Sequence, residues 1–396
     1  MHPRPAIRVR TRWFAALLAA GLVVVGPALR QPHPARAADL LDGEFASIDL
    51  GRELIQPEHL PSVQELRALV RKPEISTVLM FKLFTSGDNH HLPVFSGDGL
   101  RLAFQRSDVR ARSSKLLMYS TLSQPEPTLL TDDPAAYDYM FRWGVNGPGS
   151  FSFVRIDPGK SATRIFTSIG GDPQQRVAGE KRRRFPALYR RTDGIWRLVY
   201  EEEGRLVQEA FTLDGPVHEP LLIAQATSPR WSRGGARLLM ARRRDNGGRT
   251  SGYEMAVWNL RTEENLSLAV SGDEIVRSPS WSPDEKAAAF YVRQSGEGKP
   301  WQIRVCPVTQ DGPGDTFGGD VVVNPDFESQ GPAWEPSGRR VWFFSHENSR
   351  EAYYPLTAAD VDTGRLTTVD YPKCCTTPHD LSVNPTNPVP EIAFVA

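Results

Sequence analysis

Two short segments near opposite ends of the chain combine imidazole rings with a carboxylate. His90 and His91 precede the first copy of a repeated motif, and His379 and Asp380 precede the last copy. Histidine nitrogens are common ligands of transition metals, and a histidine beside a carboxylate titrates near neutral pH. If the fold brings the two segments together, these four residues predict either a metal site or a water-filled polar rim.

Polar residues stand at the corresponding place before the other copies of the motif. The full candidate binding set is His90, His91, Tyr137, Asp138, Arg183, Arg184, Arg277, Glu328, His379 and Asp380, with Thr227 and Gln330 beside them. In a ring of repeats such residues converge on one mouth of a central channel. We therefore expect a ligand to dock there. No catalytic residue and no cofactor is assigned, and the identity of any metal stays open.

The elements that must position these residues follow from a recurring phrase of proline, an aromatic anchor and a tight polar turn. The clearest copies are Pro279-Ser280-Trp281-Ser282-Pro283-Asp284 and Pro332-Ala333-Trp334-Glu335-Pro336-Ser337-Gly338. With the weaker copies included, the anchors are Phe95, Trp143, Tyr189, Trp231, Trp281, Trp334 and Val383, spaced roughly 42 to 53 residues apart. This interval is about the length of one four-stranded propeller blade.

Each copy contains a strand, a turn and a second strand, and two further strands follow before the next copy. The pattern predicts an all-β protein, a seven-bladed β-propeller, with six blades as the alternative if one weaker copy is only a connector. The last copy, up to Ala396, supplies two of the four strands that a blade needs. We expect strands before the first copy, residues 78–84 and then residues 45–50, to close the ring by completing this blade, because an open edge is otherwise left.

The anchor tryptophans admit two interpretations. Trp143, Trp231, Trp281 and Trp334 could form a platform on which sugars stack, or they could pack between neighbouring blades. Their identical place in each copy favours packing, because a repeated position in a solenoid or propeller faces the same neighbour each time.

The first 37 residues have the pattern of a secretory signal peptide. Arg4, Arg8, Arg10 and Arg12 precede an apolar stretch over residues 13–29, and Ala35-Arg36-Ala37 offers a cleavage site. A single membrane anchor is the alternative. We divide the chain into a signal peptide (1–37), a leader with a short helix (38–77) and the propeller (78–396). We expect Sec-type export to the periplasm or the medium, with no stable membrane span after cleavage.

Charge and cysteine content narrow the classes of partner. The chain has 47 basic and 47 acidic residues, so it has no long-range field that would attract nucleic acid. The three cysteines are Cys306, Cys374 and Cys375. An oxidising compartment permits a disulfide between Cys306 and either member of the pair, and unpaired thiols are the alternative.

The repeated phrase, best matched by residues 280–290, resembles the β-propeller repeats of the TolB family. That resemblance covers roughly residues 78–396 and implies an exported propeller that binds something. TolB proteins carry a larger α/β domain before a six-bladed propeller, whereas only about 40 residues separate the predicted signal from the first repeat here. The expected function is a monomeric scaffold that binds an envelope protein or peptide. The alternative is a metal-dependent lyase or hydrolase with its site at the channel mouth.

Overall fold

The structure is a computed structural model. It describes residues 22–25, 80–82, 89–108, 112–120, 127–246, 249–260, 264–267, 274–294, 299–309, 312–313, 321–323, 332–344, 356–369, 379–386 and 392–395. These residues form strands and turns without any helix, so the chain is all-β as predicted. None of the described residues belongs to a helix that could cross a membrane. The short helix expected within residues 38–77 lies outside the described residues.

The strands fall into consecutive groups, each beginning with the strand that carries a repeat anchor. Before them lie β1 (Leu22–Val25) and β2 (Met80–Lys82). Group 1 is β3 (Asn89–Phe95), β4 (Arg101–Asp108), β5 (Ser113–Ser120) and β6 (Thr128–Leu129). Group 2 is β7 (Tyr137–Trp143), β8 (Phe151–Ile156), β9 (Thr163–Ser168) and β10 (Gln174–Val177). Group 3 is β11 (Arg183–Arg190), β12 (Trp196–Glu202), β13 (Arg205–Phe211) and β14 (Leu221–Ala224).

The later groups repeat this order. Group 4 is β15 (Ala226–Trp231), β16 (Arg237–Asn246), β17 (Arg249–Asn259) and β18 (Glu264–Ser267). Group 5 is β19 (Glu274–Trp281), β20 (Ala287–Gln294), β21 (Trp301–Thr309), β22 (Gly312–Pro313) and β23 (Val321–Val323). Group 6 is β24 (Ala333–Trp334), β25 (Arg340–Phe344), β26 (Leu356–Asp360) and β27 (Leu366–Val369). The last strands are β28 (His379–Val383) and β29 (Ile392–Val395).

Within each group the strands pair antiparallel in chain order, as a meander. Two of the junctions between neighbouring groups also contain one parallel residue pair each. Ser114 pairs with Tyr137 between groups 1 and 2, and Tyr253 pairs with Ile275 between groups 4 and 5. Second strands such as β8 and β20 are buried along most of their length, whereas the outer strands β6 and β14 are largely exposed. The second strands are therefore covered on both faces, which explains their near-continuous apolar sequences.

One sheet combines strands from both ends of the chain. Its order is β2, β1, β29 and β28, and every pair in it is antiparallel. The expected neighbour of β29 was residues 78–84, but β1 lies between β29 and β2. Three valines follow leucine in β1, and β-branched residues favour a pleated strand. Residues 45–50, the second candidate, lie outside the described residues.

Separate apolar clusters fill the spaces between neighbouring groups. The cluster between groups 1 and 2 contains Ala103, Leu116, Phe141, Phe151 and Phe153. Similar clusters join groups 2 and 3, 3 and 4, 4 and 5, and 5 and 6. A further cluster joins Ala393 of β29 to Leu102, Phe104, Leu117 and Tyr119 of group 1. The core is thus a series of layers between sheets, which is the packing of a propeller.

Of the three cysteines in the predicted disulfide pairings, the structure describes Cys306. Cys306 on β21 is fully buried in the cluster between groups 4 and 5. Cys374 and Cys375 lie outside the described residues, so the pairing stays a prediction.

Candidate functional site

We call β3, β7, β11, β15, β19, β24 and β28 the inner strands. Six of them contain a shift of ladder register, which marks a β-bulge, before the anchor. Five bulges hold a non-glycine residue at φ between 48° and 54°, namely Leu92, Met140, Phe185, Ser228 and Ser278. Proline follows four of these residues in the sequence, and a bulge accommodates it because one backbone N–H there needs no ladder partner. The phrase proline-x-aromatic is therefore the signature of a bulged inner strand.

The anchor tryptophans connect each inner strand to the preceding one. The indole N–H groups donate to backbone carbonyl oxygens one group earlier: Trp143 to Val94 at 2.9 Å, Trp231 to Ala187 at 3.0 Å, Trp281 to Arg230 at 3.0 Å and Trp334 to Ser280 at 3.2 Å. Trp231 and Trp334 are buried in the inter-group clusters. These contacts confirm the interpretation that the tryptophans pack between groups, and they fix the spacing of the inner strands.

A cavity of about 260 Å³ lies where the inner strands of groups 4, 5 and 6 meet β28. Its lining residues are Arg230, Ser280, Pro332, Ala333, Trp334, Leu381, Ser382 and Val383. The small side chains of Ser280, Ala333 and Ser382 leave this space open. Arg230 is the charged residue among the described lining. Four consecutive inner strands therefore share the wall of one space.

Two arginines occupy the inner strands near this cavity. The Nη1 atom of Arg142 on β7 donates to the carbonyl oxygen of Pro229 on β15 at 2.6 Å, and its guanidinium carbon lies 5.8 Å from the centre of the Phe185 ring. The Nε atom of Arg230 donates to the carbonyl oxygen of Pro279 at 3.3 Å. Arg142 thus extends past the inner strand of group 3 to that of group 4.

Both guanidinium groups are strongly desolvated. Burial lowers the pKa of Arg142 well below its ordinary value, and the like charge of Arg230 lowers it further. Burial lowers the pKa of Arg230 to about 10. Among the described residues, no carboxylate lies within ion-pair distance of Arg142; its hydrogen bond is to a neutral carbonyl.

The residues predicted at the channel mouth are in part engaged within their own groups. Asp138 is completely buried and accepts two hydrogen bonds from Arg155, at 2.6 and 2.8 Å. Tyr137 is 36% exposed, and its ring centre lies 5.9 Å from that of Tyr139. The paired Asp138 stabilises group 2, and Tyr137 is the accessible member of this pair.

A second cluster brings residues of groups 3 and 4 together, as the predicted set required. Arg184 pairs with Glu201 at 2.7 Å, and Thr227 donates a hydrogen bond to the other oxygen of Glu201. Arg183 pairs with Glu202 at 2.8 Å. These arginines are therefore neutralised by carboxylates on β12, which the sequence interpretation had not connected with them.

The remaining predicted residues are placed with less detail. Arg277 is exposed, with its guanidinium 5.1 Å from the Trp301 ring centre. His91 is half-buried on β3. The side chains of His90, His379 and Asp380, and the whole of Glu328 and Gln330, lie outside the described residues. The described residues contain no group of three or more His, Cys, Asp or Glu side chains that could hold a metal.

The strands that carry the two histidine segments are neighbours. The backbone N–H of Phe95 on β3 donates to the hydroxyl of Ser382 on β28 at 3.1 Å. Asn384 and Thr386, just after β28, donate to the carbonyl oxygens of Gly99 and Asp98 at 3.1 and 3.2 Å. The structure therefore places the inner strand of the last copy against that of the first.

Sequence reasoning missed Arg142 and Arg230, because it considered the residues that precede each inner strand. A usable signal was the residue directly before each anchor. At that position the described copies have Val94, Arg142, Leu188, Arg230, Ser280, Ala333 and Ser382. Two arginines among small and apolar residues would have indicated a charged region with an open space beside it.

Comparisons with known proteins support the fold. No family model matches the chain, and no curated protein matches it. An oligogalacturonate lyase from Vibrio parahaemolyticus aligns with a TM-score of 0.54 at 11% identity, over 81% of this chain and 94% of that one. A putative TolB from Agrobacterium tumefaciens (16% identity, TM-score 0.42, 80% and 93% covered) and TolB from Acinetobacter baumannii (9%, 0.46, 95% and 96%) align less well. The likeness at 0.54 shows a propeller-type fold, and function does not follow from it.

Proposed function

We propose that this chain is an exported, seven-bladed β-propeller that binds a protein or peptide of the cell envelope at its central channel. The observation that carries the proposal is the cavity bordered by four inner strands. Its wall combines apolar surface, small polar side chains and a charged group, which is the composition of a specific binding site. Propellers commonly bind their ligands on this axis, because loops and inner strands from several blades converge there.

Seven blades are supported by the grouping of the strands. Groups 1 to 6 each contain at least four strands, and the sheet of both chain ends supplies four more. Ring closure is supported by the contacts of Phe95, Gly99 and Asp98 with residues that follow or belong to β28. A closed ring leaves no long sheet edge open between the first and last blades.

Export is supported by the signal-like pattern of residues 1–37 and by the resemblance of the repeats to an exported family. Cleavage after Ala37 would also remove β1, which pairs with β29. The exported form then needs another strand beside β29, and residues 45–50 have the length and alternation for that place.

The binding role can be tested by site-specific photo-crosslinking. A photoreactive amino acid at position 280, on the cavity wall, should give a covalent adduct with an envelope polypeptide. The same residue at position 172, an exposed turn on the outer side of group 2, serves as the matched control. Mass spectrometry of the adduct identifies the partner. Equal yields at both positions, or no polypeptide adduct at position 280, would contradict binding at the channel.

A metal-dependent lyase or hydrolase is the second candidate, and one observation favours it. β3 and β28 are neighbours, so His91 and the backbone of His379 lie on adjacent inner strands. Elemental analysis of the purified, exported protein tests this function. A stoichiometric metal that His91→Ala removes, without loss of folding, would favour the enzyme. A metal-free protein with a crosslinked partner would favour the scaffold.

A further inference from the structure

We infer that the turns after the inner strands of groups 1 to 4 form one arginine-rich surface, and that this surface binds an acidic segment of a polypeptide. The inference goes beyond the proposed channel site. These turns follow the ends of the inner strands, whereas the predicted mouth residues stand at or before their beginnings. We call the surface the arginine face, and its arginines are Arg101, Arg190, Arg191, Arg197 and Arg233.

The first argument is that the four turns lie against one another in chain order. The guanidinium of Arg101 lies beside Gly149 in the turn of group 2, so closely that a Cβ atom on this glycine would stand 2.8 Å from Nη1. Val145 of the same turn forms a parallel bridge with Tyr189 of group 3. The hydroxyl of Tyr189 donates to the carbonyl oxygen of Gly234 in the turn of group 4 at 3.4 Å. Turns that are far apart in sequence therefore share one surface.

The second argument is the charge of this surface. The four turns with their flanking residues contain six arginines, two aspartates and no other charged residue; they span residues 96–101, 144–150, 190–197 and 231–237. The sixth arginine, Arg237, pairs at 3.5 Å with Glu285 in the turn of group 5. A chain without net charge thus concentrates positive charge on one set of turns, which creates a local field for an anionic partner.

The third argument is that most of these arginines are not neutralised. Arg191 pairs with Asp193 at 3.1 Å. Within the part of the chain that the structure describes, no carboxylate lies within ion-pair distance of Arg101, Arg190, Arg197 or Arg233. The charges of these four arginines are therefore available to a ligand.

Arg197 carries the largest cost of this arrangement. Its Nε atom is buried and makes no hydrogen bond to a described residue. Burial lowers the pKa of Arg197, and the like charge of Arg191 lowers it further against the effect of Asp193. A carboxylate that binds beside Arg197 would relieve the repulsion, because an opposite charge favours the charged form.

The composition of the arginine face favours a peptide over a uniformly charged polymer. Its cations are guanidinium groups, whose planar fork of N–H donors matches a carboxylate. Asp98 and Asp193 lie among them, so a polyanion with a charge on every unit would meet like charges, whereas a peptide can place a neutral residue there. Leu100 is 54% exposed beside Arg101, and an apolar side chain of the peptide can pack on it.

The experiment measures the binding of a short labelled peptide that alternates glutamate and alanine, with the matching glutamine peptide as the uncharged control. Fluorescence anisotropy follows the titration with the exported protein. Wild type should bind the glutamate peptide saturably and should not bind the glutamine peptide. In about 1 M salt, where the Debye length falls to about 3 Å, the affinity should drop at least about tenfold.

Two paired variants locate the site. Arg191→Gln combined with Arg233→Gln should weaken binding at least about fivefold, because both are exposed cations of the arginine face. Arg182→Gln combined with Arg205→Gln removes the same charge from exposed positions outside the four turns, before β11 and at the start of β13. This control should bind within about twofold of wild type, since distant sites act independently.

A third variant, Asp193→Asn, should act in the opposite direction. Asparagine keeps an oxygen acceptor for the N–H of Ile195, which lies at 3.1 Å in wild type, but it releases Arg191 from its ion pair. The affinity for the glutamate peptide should rise about twofold or more. Damage to the fold could not produce such a gain.

Several results would overturn the inference. They are no binding of the glutamate peptide by wild type, equal binding of the two peptides, the same loss in both paired variants, or unchanged or weaker binding by folded Asp193→Asn. Tighter binding of a heparin fragment of equal charge than of the glutamate peptide would overturn the assignment to an acidic polypeptide. The crosslink at position 280 tests the channel separately, and its failure would leave the arginine face unaffected.

Discussion

At the scale of single residues, the turns after three inner strands, β3, β15 and β19, each depend on one serine hydroxyl. Ser96, Ser232 and Ser282 each accept, at Oγ, the backbone N–H five residues later, at distances of 2.9 to 3.2 Å. In group 6 the equivalent residue is Glu335, whose backbone makes the same turn with Arg340 at 2.9 Å. Its Oε2 atom is buried without a hydrogen bond to any described residue. The Nε atom of Arg340 lies 3.9 Å from this oxygen, beyond hydrogen-bond distance, so Glu335 is a weak point compared with the three serine turns.

Glu335→Ser should stabilise the protein by about 1 kcal/mol at neutral pH, because it restores the hydroxyl acceptor and removes a buried carboxylate. Burial raises the pKa of Glu335 above 4.5, and Asp360 raises it further against the effect of Arg340. The folded wild type therefore binds this proton more tightly than the unfolded chain does, so the free energy of unfolding falls as pH rises through the folded pKa. The gain from Glu335→Ser should be larger at pH 7.5 than at pH 4.

Urea unfolding at both pH values measures this difference. Ser282→Glu is the converse variant in group 5, and it should lose stability by a similar amount and with the same pH dependence. A gain for Glu335→Ser that is equal at both pH values would reject the buried carboxylate as its cause.

A second residue prediction concerns Gly99. Its φ is +67°, and a Cβ atom there would overlap the side chains of Asn384 and Thr386. Gly194 has a φ of +86° in the equivalent turn of group 3, but a Cβ atom there meets nothing within 4 Å. Both alanine variants carry a left-handed backbone cost of about 1–2 kcal/mol. Gly99→Ala should lose about 1–3 kcal/mol more through steric overlap.

Thermal unfolding of the Gly99→Ala and Gly194→Ala variants makes the comparison. Equal losses would show that the segment after β28 does not lie against the turn of group 1.

At the scale of elements, the bulged inner strand and its tryptophan form one unit. Trp231 is 6% exposed, packs among residues of groups 3 and 4, and donates its indole N–H to the carbonyl oxygen of Ala187. Trp231→Ala should lower the free energy of unfolding by about 3–5 kcal/mol, the usual range for a large buried aromatic. Trp231→Phe keeps most of the apolar contact and should lose about 1–3 kcal/mol by leaving the carbonyl unsatisfied.

Denaturant unfolding of both variants measures these losses. A melting transition of Trp231→Ala that coincides with that of wild type would refute the packing role of the anchor.

At the scale of the whole molecule, the last repeat supports the first although almost 300 residues separate them in sequence. The contacts run from Ser382, Asn384 and Thr386 to Phe95 and the turn after it. Deletion of residues 381–396 should therefore expose β3 and cause cooperative loss of stability and aggregation, because the strand that covers this edge of group 1 is removed. Hydrogen exchange at β3 and β2 should become fast in the truncated protein. Retained protection at both strands would show that the ends do not meet.

A final whole-molecule prediction concerns the exported form. N-terminal sequencing of exported material should begin near Ala38, since Ala35-Arg36-Ala37 is the cleavage motif. Amide exchange in β29 should stay slow in that form if residues 45–50 take the place of β1 beside it, as proposed above. Material that begins at Met1 in a membrane fraction would contradict export with cleavage.

The sequence by itself determined the repeated strand–turn–strand unit. Proline, anchor and turn serine recur because each acts locally: proline at a bulge, the aromatic ring between sheets, the hydroxyl within a five-residue turn. The same local logic identified Trp143, Trp231, Trp281 and Trp334 as packing residues, and their indole contacts agree with that. A local pattern is readable from sequence because its cause lies within a few residues.

The tertiary structure decided which charges meet. Asp138 and Arg183, predicted at the channel mouth, pair with Arg155 and Glu202 across strands of their own groups. Arg142 reaches a carbonyl oxygen 87 residues away, and burial lowers the pKa of its guanidinium, with the like charge of Arg230 lowering it further. In the sheet that combines strands from both ends of the chain, β1 likewise pairs with β29, where residues 78–84 were expected. Such pairings depend on strand register and on how neighbouring sheets pack, and a single sequence contains neither, because both arise only when distant strands come together.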